Sequence, residues 1–467
     1  MKNNADSKKI AIRPSAEHPG YWSVDGATTL LVGGTREDNL FQIDDLEPHL
    51  DALSAAGGNY IRNTMSDRDE GDVFAFAKIE DGPNAGKYDL ERWNPEYWRR
   101  FTHLLDLCRD RSIVVQIEVW DRFDVSREPY AKHPWNPANN VNYDTAASGL
   151  ATAYPEHPSA NLQPFFHTVP EMDDNTLLRR YQERYVEKLL SISLGYANVL
   201  YCMNNETHES PAWGKYWLSF IRRHAKEAGV EIWATDMFDG PWESGIPDVV
   251  RAQFADPATY PFIDTSQINA WRCTTLRHRE NLRTLIELNH DPVRPLNCTK
   301  VYNSDTLHNY DNTAARHTDL DGLTAFWLDL LGGFASARFH RPPHGLGQSE
   351  KAINSIRSVR LIEQHVRFWD LSFVPDWTGG RSPDEAFLSH PSGTTPAAAP
   401  GAASLVLLPK GGSFTPDAPI GTGRHTVRFL DVVTAKWQPA REIDLERATV
   451  LEAPDGGIWI AMLRPVR

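Results

Sequence analysis

Cysteine is scarce in this 467-residue chain: four residues, at 108, 202, 273 and 298, with no CxxC pair. That spacing excludes a disulfide framework and carries no structural-zinc signature. Cys108 and Cys202 fall in apolar stretches and read as buried thiols. Positive charge is also in deficit. Lys and Arg number 48 against 62 Asp and Glu, a net charge of −14. No global positive field draws in phosphates, so neither nucleic acid nor an anionic membrane surface is expected as a partner. No window approaches the ~18 apolar residues of a membrane span. Residues 1–20 (MKNNADSKKIAIRPSAEHPG) lack an apolar signal core, which predicts a cytoplasmic location, or a secreted chain already trimmed of its leader. Motifs are missing too. There is no HxH, HExxH or G-x-S-x-G, and Gly33-Gly34-Thr35 is not the G-x-G-x-x-G phosphate turn. His340 and His344 are four apart, but Pro342-Pro343 forbids a helix between them. No metal and no cofactor is expected.

What is present is an ordinary globular mixture, 41% apolar and 24% charged. Aromatics are abundant: 15 Trp, 15 Tyr and 19 Phe. Trp120, Trp135, Trp242 and Trp271 all have polar neighbours in the chain. A core buries aromatics among aliphatics, whereas aromatics among polar residues form wet surfaces that stack on sugar rings. Together these positions point to a carbohydrate groove.

Short β-like runs alternate with amphipathic helical runs, the pattern of a parallel α/β architecture. Strands are predicted at residues 28–33, 59–63, 113–120, 198–203, 231–235, 262–268, 294–302 and 334–339. Helices are predicted at 44–56, 94–110, 174–194, 211–228, 274–289, 318–331 and 349–368. Residues 121–171 form a long stretch rich in Pro, Asn, His and aromatics, and loops of that length are uncommon unless functional. Eight strand–helix units predict an α/β fold, a (β/α)₈ TIM barrel with enlarged loops. After Trp369 helical periodicity disappears. Residues 391–404 (PSGTTPAAAPGAAS) are low-complexity, and β-like runs at 405–408, 425–430 and 458–463 predict an all-β C-terminal unit. The expected division is a catalytic barrel over 1–372 and a small β-sandwich over 373–467, where Trp377, Trp437 and Trp459 form the core and dock the unit onto the barrel, with sugar binding as the alternative.

In such barrels chemistry sits at the C-terminal strand ends. The fourth strand ends Tyr201-Cys202-Met203-Asn204-Asn205-Glu206, which brings a carboxylate to the mouth with an amide beside it. Glycosidic cleavage needs a carboxylic acid to protonate the leaving oxygen. With this ending the chain resembles the clan A glycoside hydrolases, whose barrels carry an Asn-Glu pair at this place. Two further stretches are similar: Tyr21-Trp22-Ser23-Val24-Asp25-Gly26 before an apolar run, and Gly57-Gly58-Asn59-Tyr60-Ile61-Arg62 on the second strand. The resemblance implies that Glu206 is the general acid/base, that Asn205 positions substrate and that Arg62 points into the site. The chain departs from the clan at strand seven. The clan's nucleophile there is a Glu, whereas residues 294–302 read RPLNCTKVY, with Lys300 or Cys298 near that place. Candidates for a second carboxylate are Asp236, Asp305, Asp239, Glu118 and Asp121. Asp236 is the first choice and Asp305 the second. Trp120, Trp271, Lys300, Tyr302, Arg338 and His340 complete the expected substrate contacts. The cations Arg62, Arg122, Lys300, Arg338 and Arg341 at strand ends either pair with site carboxylates or receive an anionic sugar. Hydrolysis of a poly- or oligosaccharide is therefore the first expectation. A polysaccharide lyase with Lys300, Tyr302 or a His as base, and a sugar-binding barrel without catalysis, are the alternatives.

Overall fold

A computed structural model describes residues 11–208, 210–270, 272–306, 318–392 and 402–466. Trp271 lies outside these residues, as does most of the Ala/Pro-rich stretch.

Eight parallel strands organise the first part of the chain. They are β1 (Leu31–Gly34), β2 (Tyr60–Thr64), β3 (Val114–Asp121), β4 (Val199–Asn205), β5 (Trp233–Thr235), β6 (Ile263–Asp264), β7 (Leu296–Val301) and β8 (Ser336–Phe339). They pair as two four-stranded sheets, in the orders β5-β4-β3-β2 and β6-β7-β8-β1. At one seam Asn59 N donates to Val32 O at 3.0 Å, and the Asn59 side chain accepts from Val32 N. At the other seam Thr235 Oγ1 donates to Phe262 O at 2.7 Å. A Cβ on Gly33 would stand 1.8 Å from Tyr60 O, so only glycine lets β1 approach β2 this closely.

Between the strands run α1 (Leu46–Ala55), α2 (Pro95–Asp110), α3 (Thr176–Ser193), α4 (Pro211–Glu227), α5 (Asp248–Phe254), α6 (Thr275–Leu288), α7 (Asp319–Leu331) and α8 (Glu350–Glu363). α2 shows why such segments fold. Asn94 caps it by accepting from Glu96 N, and Pro95 stands at its first position, where no N–H is missed. Tyr97, Trp98, Phe101, Leu104, Leu105 and Cys108 form its buried stripe. The helix α5 escaped sequence reading because it has only seven residues. The predicted sixth strand shrinks to two residues, and Ser266–Asn269 turn as a 3₁₀ helix instead.

A three-stranded antiparallel sheet (Ile12–Pro14, Trp22–Val24, Ala27–Thr29) precedes β1. The Tyr21–Gly26 motif lies in this sheet and not on a parallel strand. Its Trp22 is fully buried and donates Nε1 to Asn297 Oδ1 of β7 at 2.8 Å.

The C-terminal part is antiparallel: β9 (Leu371–Phe373), β10 (Phe387–Pro391), β11 (Ser404–Leu408), β12 (Ser413–Phe414), β13 (Gly423–Asp431), β14 (Lys436–Trp437), β15 (Arg441–Leu445), β16 (Leu451–Glu452) and β17 (Trp459–Pro465). Seven of these form one sheet in the order β9-β10-β11-β17-β13-β14, with β15 paired to β13, and β12 pairs β16 beside it. One face of the large sheet, with Phe387, Leu405, Leu407 and Ile460, belongs to the same apolar cluster as the parallel strands. The other face, with Leu388, Val406, Val427 and Trp459, closes on Phe414, Leu451 and Trp377. This explains α7, which is buried at every position from Gly322 to Leu331. It lies between the parallel strands and the C-terminal sheet, so both of its faces are covered.

Candidate active site

The interior side chains form a hydrogen-bonded column. Tyr60 OH donates to Gln116 Oε1 at 2.7 Å, and Gln116 Nε2 donates to Asp264 Oδ2 at 2.6 Å. Above them Arg62, fully buried, donates Nε to Glu118 Oε1 (2.6 Å) and Nη2 to Asn205 Oδ1 (2.9 Å), and pairs with Asp38. At the top, Glu206 Oε1 accepts three donors: Lys300 Nζ at 2.6 Å, Tyr302 OH at 2.9 Å and Gln267 Nε2 at 3.1 Å. Lys300 Nζ also donates to Asn205 Oδ1 at 2.5 Å. Glu206 Oε2 has no hydrogen-bond partner among the described residues, and 23% of the side chain is exposed. The Glu206 backbone is left-handed (φ 49°), a conformation that costs a non-glycine residue free energy and concentrates at functional sites.

The electrostatics follow from this packing. Burial pushes the Glu206 carboxyl up, but Lys300, the Tyr302 hydroxyl and Arg62 more than offset it, and it falls to about 2. Glu206 is therefore a carboxylate at neutral pH. Burial likewise acts on Asp38, and the guanidinium groups of Arg62 and Arg341 overcome it, so Asp38 is held well below the usual range. Glu118 and Asp264 move up, burial being the larger effect in each. Burial keeps His340 neutral and raises the Tyr302 hydroxyl well above its ordinary value, with Glu206 adding to the latter.

In structure the chain is similar to a glycoside hydrolase family 5 protein from Bacteroides vulgatus ATCC 8482, at 11% identity, covering 100% of this chain and 96% of that one, with a TM-score of 0.61. In fold the chain resembles the clan A glycoside hydrolases. A second structure, described as a glycoside hydrolase, is 10% identical and also has a TM-score of 0.61, covering 98% of this chain and 97% of that one. A sequence-family profile described as a domain of unknown function, DUF6298, matches residues 81–278. No curated protein matches the chain.

Among the residues singled out in the sequence, Glu206, Asn205, Arg62, Lys300 and Tyr302 come together in this cluster. His340 borders it, its ring 4.9 Å from that of Tyr302 and its Nδ1 3.5 Å from Asp38 Oδ1. Arg338 lies deeper. It is fully buried and donates to Thr299 O and Thr35 Oγ1.

Three expectations need correction. Trp120 is 4% exposed and packs among Phe165, Tyr185, Trp213 and Trp217, between the sheet and the helices. Strand alternation from Glu118 would turn it inward. Instead the alternation slips by one on β3 and β4 at the same level: Glu118 and then Asp121 reach the interior cluster, as does Asn205, while Asn204 bonds Trp213 of α4. Trp135 and Trp242 are buried as well, so these polar-flanked tryptophans are core. Asp236 faces α4. Its Oδ1 accepts from Asn204 Nδ2 and Met237 N, and a Cβ on Gly214 would stand 1.9 Å from its Oδ2. Asp305 is exposed and tied to the start of α7, exchanging hydrogen bonds with Asp319 near Lys351. Neither aspartate bonds to the Glu206 cluster among the described residues.

Sequence reading missed Asp38 and Gln267. Asp38 lies in a loop without a motif, and Gln267 was hidden in a run read as strand. Asp239 is among the candidate carboxylates of the sequence. It follows β5, where Asp239 N donates to Thr207 O at 3.0 Å and Thr207 N to Met237 O at 3.1 Å. The segments that leave β4 and β5 are thereby zipped in parallel, and 28% of the Asp239 side chain is exposed.

Proposed function

We propose that the two parallel half-sheets close into one (β/α)₈ barrel and that the chain is a glycoside hydrolase acting on a poly- or oligosaccharide, with Glu206 at the reacting centre. One observation supports this above the rest: Glu206, directly after β4 beside Asn205, has one oxygen held by three donors and the other without a partner among the described residues. A carboxylate held in this way keeps its orientation while its free oxygen meets a ligand. The substrate class is a neutral glycan. Arg62, Lys300 and Arg341 already face Asp38, Glu118 and Glu206, so a uronate would find these cations engaged.

The test is turnover of a panel of neutral and anionic glycans, followed by release of reducing ends. Glu206→Gln is expected to keep sugar binding by calorimetry and to lose about 10²–10⁴-fold in rate. Full activity in that variant rejects the assignment. The Lys300–Glu206 ion pair, formed where the clan places its nucleophile, favours a second reading as a sugar-binding barrel without catalysis. Binding without product from any glycan would establish that reading instead. Unsaturated products absorbing in the ultraviolet would indicate a lyase.

A further inference from the structure

The clan's chemistry asks the carboxyl at the end of strand four to give a proton. Here that carboxyl is ion-paired with Lys300 Nζ at 2.6 Å, and a carboxyl held anionic has no proton to give. The proton must then come from elsewhere at the rim. Glu206 is joined through Thr207 to the chain leaving β5, where Asp239 N bonds Thr207 O. Among the described residues no Lys or Arg pairs with Asp239, and His208 Nε2 lies 3.5 Å from Asp239 Oδ2. Its Oδ1 accepts from Gly240 N.

We propose, on the hydrolase reading above, that Asp239 is the proton donor of this site and Glu206 its base, the reverse of the role the resemblance gives Glu206. Burial and the Glu206 charge both raise the Asp239 carboxyl, whereas Lys300 brings Glu206 down. Two neighbouring carboxyls whose surroundings drive them apart in this way divide into acid and base. The charged and titratable groups around the pair are Lys300 from β7, Tyr302 just after it, Arg62 from β2, His208 beside Asp239, His157 from the loop after β3, and His344 after β8.

The step balances with one water. Glu206 takes a proton from water as the water oxygen bonds to the anomeric carbon. The carbon–oxygen bond to the leaving sugar breaks, its electron pair stays on the leaving oxygen, and that oxygen takes the Asp239 proton. Glu206 then loses its proton to solvent and Asp239 regains one. The first product carries the inverted anomeric configuration.

The experiment compares glycosides whose leaving groups differ in basicity. Asp239→Asn is expected to lose ~10²–10³-fold on an alkyl glycoside and little on a dinitrophenyl glycoside, which leaves without a proton. Glu206→Gln loses comparably on both. The opposite pattern, with Glu206→Gln spared on the activated substrate, overturns the proposal, as does product of retained configuration. Wild-type enzyme that turns over no glycan removes the hydrolase reading itself and this proposal with it. Wild-type turnover unaffected by Asp239→Asn removes only the proposal. Carbon-13 carboxyl titration gives a readout besides activity: Asp239 should titrate lower in Glu206→Gln than in the wild type, and an unchanged curve would show that the two groups are not neighbours.

Discussion

Asp236 stands between β5 and α4 with Gly214 against its carboxyl, and burial raises it to about 7. A carboxyl raised on folding contributes stability that is complete below its unfolded pKa, here 3.8, and lost as pH rises through about 7. Asp236→Asn removes this dependence. Between pH 4 and 8 the wild type should lose up to about 4 kcal/mol relative to the variant, since each tenfold change in proton affinity is worth about 1.4 kcal/mol. Urea unfolding at both pH values measures it, and parallel losses would show that Asp236 ionises freely. At this scale the chain was partly legible. Asn205 and Glu206 could be placed because a strand end fixes where a side chain goes, and Arg62 because the resemblance points an arginine of that strand into the site. Lys300 and Tyr302 could be placed because they fall at the end of the seventh predicted strand. Asp236 misled because one residue past a strand end either face is open, and Asn204 and Gly214 chose the outer one.

Elements explain the rest of what the sequence disclosed. Long helices with caps and apolar stripes are written in local chemistry, and α2 shows it. Removing its cap by Asn94→Ala also deletes the bond from Asn94 Nδ2 to Phe74 O at 2.9 Å. The expected cost is about 1–2 kcal/mol in chemical denaturation, with the spectrum of the folded state unchanged. A cost near zero would mean that packing alone starts the helix. The paired slip on β3 and β4 was invisible, because alternation is a rule about isolated strands and the slip is agreed between two. It determines which residues reach the interior: it sends Trp120 to the core between sheet and helices and brings Asp121 and Asn205 to the Arg62 cluster.

Over the whole molecule, the C-terminal sheet is held by more than apolar contact. Arg279 of α6 is 5% exposed and donates to the carbonyls of Pro375, Trp377, Pro383 and Ala386. Arg279→Ala leaves these oxygens without their donor, at an expected cost of about 2–4 kcal/mol. Limited proteolysis should then cut residues 373–390 well before the parallel strands. Unchanged cleavage would assign the docking to the apolar face alone. The sequence marked where helical periodicity ends. It could not mark that α7 needs cover on both sides, because an all-round apolar helix names no partner.

The strand Trp459–Pro465 lies in the middle of its sheet, between β11 and β13. Loss of residues from 459 onward would therefore split the C-terminal sheet and uncover α7. A premature stop codon even within the final strand should then act as a lesion of the parallel-stranded half, not a trimming of a dispensable tail.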